Sequence, residues 1–180
     1  MLNIPSAWAE TLAHVQTVFP EAMIAGGALR DLDNGRPIKD IDIFAPNCPT
    51  SFDETLELVR KLLPAPNMLH NMLGSYGTWA TAECVGVFDI RAPALDYQLI
   101  CLSSPQSSIL PRIDFGLCRI GFDGRKVTRT PEYFEDQASQ KFTLLRCEDS
   151  NQLDRSRRRW ERFTKKYQGW ALHASDDLPI

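Results

Sequence analysis

Apolar residues recur at helical spacing at Trp8, Leu12, Val15 and Phe19, which predicts an amphipathic helix opening near Ser6. It leads into Met23-Ile24-Ala25, short and apolar like the end of a strand. The period then changes to two. In Asp40-Ile41-Asp42-Ile43-Phe44 charged and apolar residues alternate, so an extended strand projects both carboxylates from one face and packs Ile41 and Ile43 on the other. Pro46-Asn47-Cys48-Pro49 is a turn, and Phe52, Leu56, Val59 and Leu63 form a second helical stripe over roughly 53–63. Pro64-Ala65-Pro66 stops that helix.

Residues 67–77 carry no strong period and read as a loop or short element bordering the candidate site. Three short strands are expected over 78–84, 85–90 and 96–102, with Arg91-Ala92-Pro93 as a turn. Residues 113–122 and 125–128 read as a hairpin around Asp123-Gly124, a pair suited to positive φ. Near the C-terminus Trp160, Phe163 and Tyr167 share one helical face. Helices thus mix with strands of both sequence types, an α+β pattern (α/β mixed) with helices flanking a mixed sheet.

With 180 residues, 43% of them hydrophobic, the chain can bury the core of one domain. We expect residues 1–150 to form the main domain and a basic C-terminal helix and tail, 151–180, to pack on it. A formal net charge of −3 gives no general attraction to polyanions, so a nucleic-acid contact must come from a local basic patch. Residues 155–166 supply one: Arg155, Arg157, Arg158, Arg159, Arg162, Lys165 and Lys166 stand against Glu161. Arg157, Arg158 and Arg159 are the candidates for binding nucleic-acid phosphates, the nucleotide's triphosphate being a second reading and a solvated helix face a third.

Five cysteines without Cys-x-x-Cys spacing argue for reduced, mostly buried thiols. The N-terminus lacks the basic start and apolar stretch of a secretory signal, and no apolar run is long enough to cross a bilayer. The expected location is cytoplasmic, in a bacterium or a phage-infected cell, with no membrane partner.

The chemistry concentrates in two places. Gly26 and Gly27 end the first short strand, and residues without a Cβ let backbone approach a bulky anion. A helix opening after them directs its free amides to the same point. Asp40 and Asp42 repel each other unless a cation bridges them, and hard cations such as Mg²⁺ take oxygen ligands while leaving positions for substrate phosphates.

Together, Gly26-Gly27-Ala28-Leu29-Arg30-Asp31 and Lys39-Asp40-Ile41-Asp42-Ile43-Phe44 resemble the head-domain signature of tRNA CCA-adding enzymes and bacterial poly(A) polymerases, of the DNA polymerase β-like nucleotidyltransferase superfamily. The specific match covers residues 24–44, and a looser one runs to about 102. The resemblance implies a nucleotidyltransferase-type mixed sheet flanked by helices, an NTP substrate bound at Gly26 and Gly27, and Mg²⁺ (or Mn²⁺) held by Asp40 and Asp42. It implies that Arg30, Asp31, Arg36 and Lys39 shape the nucleotide pocket and its charge.

A third carboxylate is required from a neighbouring strand. Asp96 and Gln98 share one strand face, and either aligns with the family's acid; Asp114 is a further candidate. We take Asp96 as the catalytic third member. Asp154-Arg155-Ser156-Arg157 is only a faint echo of the family's base-selecting helix, so that role is not carried over. The chain ends at Ile180, short of the helical body with which that family holds tRNA, so tRNA synthesis would require a partner or oligomer. The expected function is transfer of a nucleoside monophosphate to an acceptor hydroxyl, an RNA 3′ end being favoured, with release of pyrophosphate. The alternatives are a non-catalytic nucleotide- or nucleic-acid-binding module with a degenerate metal site, and a protein-modifying transferase associated with a toxin or defence partner.

Overall fold

Helix α1 (Ser6–Gln16) buries Trp8, Leu12 and Val15, and Phe19 continues the stripe just beyond its end. The Gln16 side-chain amide then donates to the carbonyls of Ala22 (2.8 Å) and Asp123 (2.9 Å), fixing where the chain turns into the sheet. The structure, a computed structural model, describes residues 2–63, 67–71 and 91 by backbone alone, 83–90, 96–147 and 149–174.

Strand β1 (Met23–Ala25) is followed by helix α2 (Gly27–Asp33), strand β2 (Asp40–Ala45) and helix α3 (Phe52–Leu62). Next come β3 (Asn67–Asn71), β4 (Cys84–Arg91), β5 (Asp96–Leu102) and a short α4 (Ile109–Arg112). The hairpin β6 (Ile120–Phe122) and β7 (Val127–Arg129) precedes α5 (Pro131–Ser139), β8 (Lys141–Leu144), α6 (Ser150–Lys166) and β9 (Ala171–Ala174). Seven strands form one mixed sheet in the order β3-β4-β5-β2-β1-β6-β7, and β8 and β9 form a separate parallel pair. Within the large sheet β2 and β5 run parallel, because α3, β3 and β4 intervene as a crossover, while the other pairings are antiparallel. The architecture is the expected mixed α+β one.

Alternation in β2 works as its pattern requires: Ile41 and Ile43 are fully buried, and Asp40 and Asp42 lie on the opposite, half-exposed face. The register sets Asp40 beside Asp96 and Asp42 beside Gln98. Phe163 of α6 and Tyr167 at its C-cap belong to the same hydrophobic core as the strands, with Trp160 packed against it. Phe142 of β8 collects these rings, stacked on Phe163 at 4.7 Å and edge-on to Tyr167 at 5.0 Å.

Several elements differ from the sequence pattern. In α3 the buried positions are Thr55, Val59 and Leu62, while Phe52, Leu56 and Leu63 are half-buried, so the buried stripe is rotated about the helix axis from the one expected. The cap supplies the reason: Ser51 accepts from the Glu54 amide and Thr55 donates to the Pro49 carbonyl, fixing the rotation of the first turn. Residues 67–71, expected in a loop or short element, form the short edge strand β3, and 84–91 form one strand rather than a strand end and a second strand. The strand expected over 78–84 otherwise lies outside the described residues. Residues 113–119 are not strand. A 3₁₀ turn at Gly116–Cys118 occupies that stretch, because buried Asp136 accepts from the Leu117 amide (2.8 Å) as well as from the amide and hydroxyl of Thr143 (2.9 and 2.6 Å). A Cβ on Gly116 would meet Asp136 Oδ2 at 2.6 Å, so glycine is required there by space.

Helix α5 escaped the periodicity because it is short, but it carries a start signal in Thr130-Pro131, with Thr130 accepting from the Tyr133 amide. It closes a polar network at the end of α2. Arg129 forks onto Asp33 (2.8 and 2.7 Å), and the Tyr133 hydroxyl donates to the same carboxylate at 2.6 Å. Burial pushes the Asp33 carboxyl up, but the hydrogen bonds from Arg129 and Tyr133 outweigh it and hold it below the usual carboxylate range. The stabilisation from Asp33 is therefore full above the ordinary aspartate value of about 4 and is lost as pH falls through the lower folded value. Thermal melts from pH 5 to pH 2 are expected to show a steeper loss of Tm for the wild type than for Asp33→Asn.

Candidate active site

Gly26 connects β1 to α2 with φ +83° and ψ −129°, a conformation that side-chain-bearing residues rarely adopt. Its amide donates to Ile120 of β6 and its carbonyl accepts from Arg30, so the turn is tied to the sheet on one side and to the helix on the other. A Cβ at Gly26 would meet nothing nearer than 3.9 Å; the backbone angle, not space, demands glycine. Gly27 has no such angle and is the first residue of α2.

Gly26 and Gly27 form one wall of a cavity of about 910 Å³. Asp40, Asp42 and Gln98 on the sheet face form its floor, and Arg155, Arg158, Arg159, Arg162 and Lys166 of α6 form the facing wall. Of the expected pocket residues, Arg30, Asp31 and Lys39 also border it. Arg36 does not; its guanidinium sits 5.2 Å from the centre of the Tyr167 ring. Arg158 and Arg159 line the cavity, while Arg157 points elsewhere and lies 3.8 Å from Asp154. Asp96 is exposed beside Asp40 and is not part of the lining; the residue that lines the cavity beside Asp42 is Gln98.

Arg30 and Asp31 are each 3% exposed and are engaged with the protein. Arg30 pairs with Asp31 (2.7 Å), donates to Cys118 Sγ (3.0 Å) and stacks 4.4 Å from the Phe163 ring centre. Burial disfavours its charge, yet Cys118, Asp31 and Tyr167 together raise its pKa further above the usual arginine value. Asp31 in turn accepts from the Tyr167 hydroxyl (2.8 Å) and from Lys166 Nζ (2.6 Å). These two residues therefore fasten α2 to α6. A second fastening comes from Asp114, 2% exposed, which accepts from Ser156 (2.8 Å) and pairs with Arg159. Burial opposes the Arg159 charge, but Asp114, Cys118 and Asp42 together more than restore it, raising its pKa.

Arg155, Arg159, Arg162 and Lys166 follow the spacing i, i+4, i+7, i+11, so a single stripe of α6 faces the cavity. That spacing is visible in the sequence, although adjacency in the run 157–159 suggested a different trio. Asp40 pairs with Lys39 at 3.0 Å, and the Lys39 side chain is 81% exposed. Asp40, Asp42 and the Gln98 carboxamide make an oxygen-only donor set of the kind that hard divalent cations take, with room for substrate phosphates. No group of three His, Cys, Asp or Glu suited to a metal occurs among the described residues. Among them, too, no helix is long and apolar enough to cross a membrane.

No family model matches the chain, and no curated protein does either. Solved structures do. The Bacillus stearothermophilus CCA-adding enzyme in complex with CTP matches over 97% of this chain and 42% of its own, with 21% identity and a TM-score of 0.63. The Thermotoga maritima CCA-adding enzyme complexed with tRNA matches over 98% and 41%, with 14% identity and a TM-score of 0.59. A tRNA nucleotidyltransferase complexed with a primer tRNA and an incoming ATP analogue matches over 88% and 46%, with 16% identity and a TM-score of 0.53. The chain thus has the fold of part of these enzymes and spans less than half of their length.

Removing the Asp114 carboxylate leaves Arg159 without its partner and Ser156 without its acceptor. Asp114→Ala is expected to lower stability in urea denaturation by roughly 3 kcal/mol, with a smaller loss for Asp114→Asn.

Proposed function

We propose that this chain is a nucleotidyltransferase in which an acceptor hydroxyl, an RNA 3′ end being favoured, attacks the α-phosphorus of an NTP. The bond from that phosphorus to its bridging oxygen breaks, and pyrophosphate leaves. The observation that carries the reading is the pair Asp40 and Asp42 on the floor of a cavity bounded by the Gly26-Gly27 turn and a wall of arginines. Asp40 and Asp42 would hold Mg²⁺ or Mn²⁺, which when bound neutralises phosphate charge and activates the attacking oxygen. The fold, shared with enzymes solved in complex with CTP and with tRNA, supports the same reaction class.

The chain's own groups divide the work. Because Asp40 and Asp42 are two residues apart on a strand inside the sheet, their separation is set by backbone geometry rather than by loop motion. The Gly26-Gly27 turn offers close backbone approach to the triphosphate. Asp96, beside Asp40, is the third carboxylate in this reading and would accept the proton of the attacking hydroxyl.

Gln98 favours a second reading. A neutral amide stands in register with Asp42, where a carboxylate would add charge for a second cation, so the cavity also suits an NTP-binding module without transfer.

Incubation with each α-³²P-NTP, Mg²⁺ or Mn²⁺, and total RNA and protein tests the choice. Label is expected on RNA with the wild type and absent with Asp40→Asn or Asp42→Asn. Retained NTP binding with no label in any condition makes the non-catalytic module the correct reading; label on protein moves the acceptor class. Asp96→Asn is expected to reduce transfer, and Gln98→Glu to change its divalent-ion dependence, both read in the same assay.

A further inference from the structure

Seven basic and five acidic side chains border the cavity, and most cancel within the protein. Arg30 and Lys166 are held by Asp31, Arg159 by Asp114, and Lys39 lies on Asp40. Arg155, Arg158 and Arg162 are different: none makes an ion pair with a described residue, and the remaining acid on that helix wall, Glu161, is exposed. The Nε of Arg155 is shielded from solvent and has no hydrogen-bond partner, an uncompensated donor at the cavity wall. On a helix these three residues lie within one stripe that extends about 10 Å along the axis. The two buried ion pairs hold the helix carrying them in place, so the arginines are positioned before any ligand arrives.

On the sheet side the cation supply is small among the described side chains. Arg36, expected in the nucleotide pocket, is turned onto Tyr167, and Lys39 is largely in solvent beside Asp40. Among the described residues that line the cavity, the positive charges a polyphosphate would find without an ion-pair partner, on entering between the Gly26-Gly27 turn and the two β2 carboxylates, are on α6.

We propose that Arg155, Arg158 and Arg162 are the polyphosphate clamp of this cavity, binding the β- and γ-phosphates of the incoming nucleotide and holding the pyrophosphate as it leaves. The proposal rests on the NTP reading above. Guanidinium groups suit it, since each presents paired donors to phosphate oxygens and keeps its charge at every working pH. Charge that develops on the bridging oxygen would then be met by donors already in position. Arg155 is a positioning and binding group as much as a counter-charge, because its buried Nε gains a partner only when an anion is bound.

The probe is inorganic tripolyphosphate, titrated calorimetrically in EDTA so that binding is read apart from transfer. Arg158→Ala/Arg162→Ala, at exposed positions, is expected to weaken binding at least tenfold, and Arg155→Lys several-fold, with unchanged urea midpoints. Arg125→Ala, an exposed arginine in the β6–β7 turn, is expected to leave affinity unaltered and so controls for overall charge. Equal loss in Arg125→Ala, or no loss in the double variant, overturns the clamp. Loss of affinity for a single-stranded oligonucleotide lacking a triphosphate, with tripolyphosphate binding intact, also overturns it and assigns the arginines to the acceptor backbone. Wild-type protein that binds tripolyphosphate through these arginines but transfers no label refutes the enzyme reading and leaves the clamp standing. Full transfer by Arg158→Ala/Arg162→Ala refutes the clamp alone.

Discussion

The buried carboxylates Asp31 and Asp114 are the constraint on which the rest of the site depends. Each sits in the β1–α2 or β5–β6 region of the main sheet and takes a cation from α6, Lys166 in one case and Arg159 in the other. A buried carboxylate without a partner is costly, so the two acids fix both the position and the rotation of the helix. The aromatic face of α6 supplies the apolar half of the docking through Phe163 and Tyr167. With the rotation set, the stripe at 155, 159, 162 and 166 must face the strand that carries Asp40 and Asp42. The cavity is therefore a product of helix docking rather than of loops.

What the sequence announced and what it hid follow from the range of the interactions involved. The alternation of β2, the glycine turn and the aromatic spacing of α6 are local patterns, and each forms as its pattern requires. The roles of Arg30 and Asp31 are not local: adjacent to the glycines they look like pocket residues, yet Tyr167 and Lys166, over 130 positions away, take them up. Arg36 shows the same effect through its ring contact with Tyr167. Residues 113–119 had the apolar content of a strand, but Asp136 captures the Leu117 amide and imposes a 3₁₀ turn. In the basic run the composition was plain, whereas which guanidiniums share a face required the helix register; Arg157 pairs with Asp154 on another side.

The floor and the facing wall carry opposite charge, and their balance suits an anion carrying a cation. Asp40 and Asp42 repel a bare polyphosphate, while the α6 arginines attract it. A ligand that brings phosphates to one wall and a divalent ion to the other satisfies both. The neutral Gln98 next to Asp42 lowers the negative charge of the floor by one relative to a carboxylate there, which would ease the approach of an anion and weaken the hold on a cation.

The placement of α6 also has a consequence for the order in which the molecule comes into being. Strands of the large sheet are complete by Arg129, but the cation that answers Asp114 and the second one on Asp31 emerge only with residues 150–166. A nascent chain halted between those points would expose an open floor, Asp114 without its cation, Asp31 with Arg30 alone, and no facing wall. Synthesis from the N-terminus thus delivers the acidic half of the cavity first and closes it late, so an interrupted product carries the carboxylates of the floor without the arginines that face them.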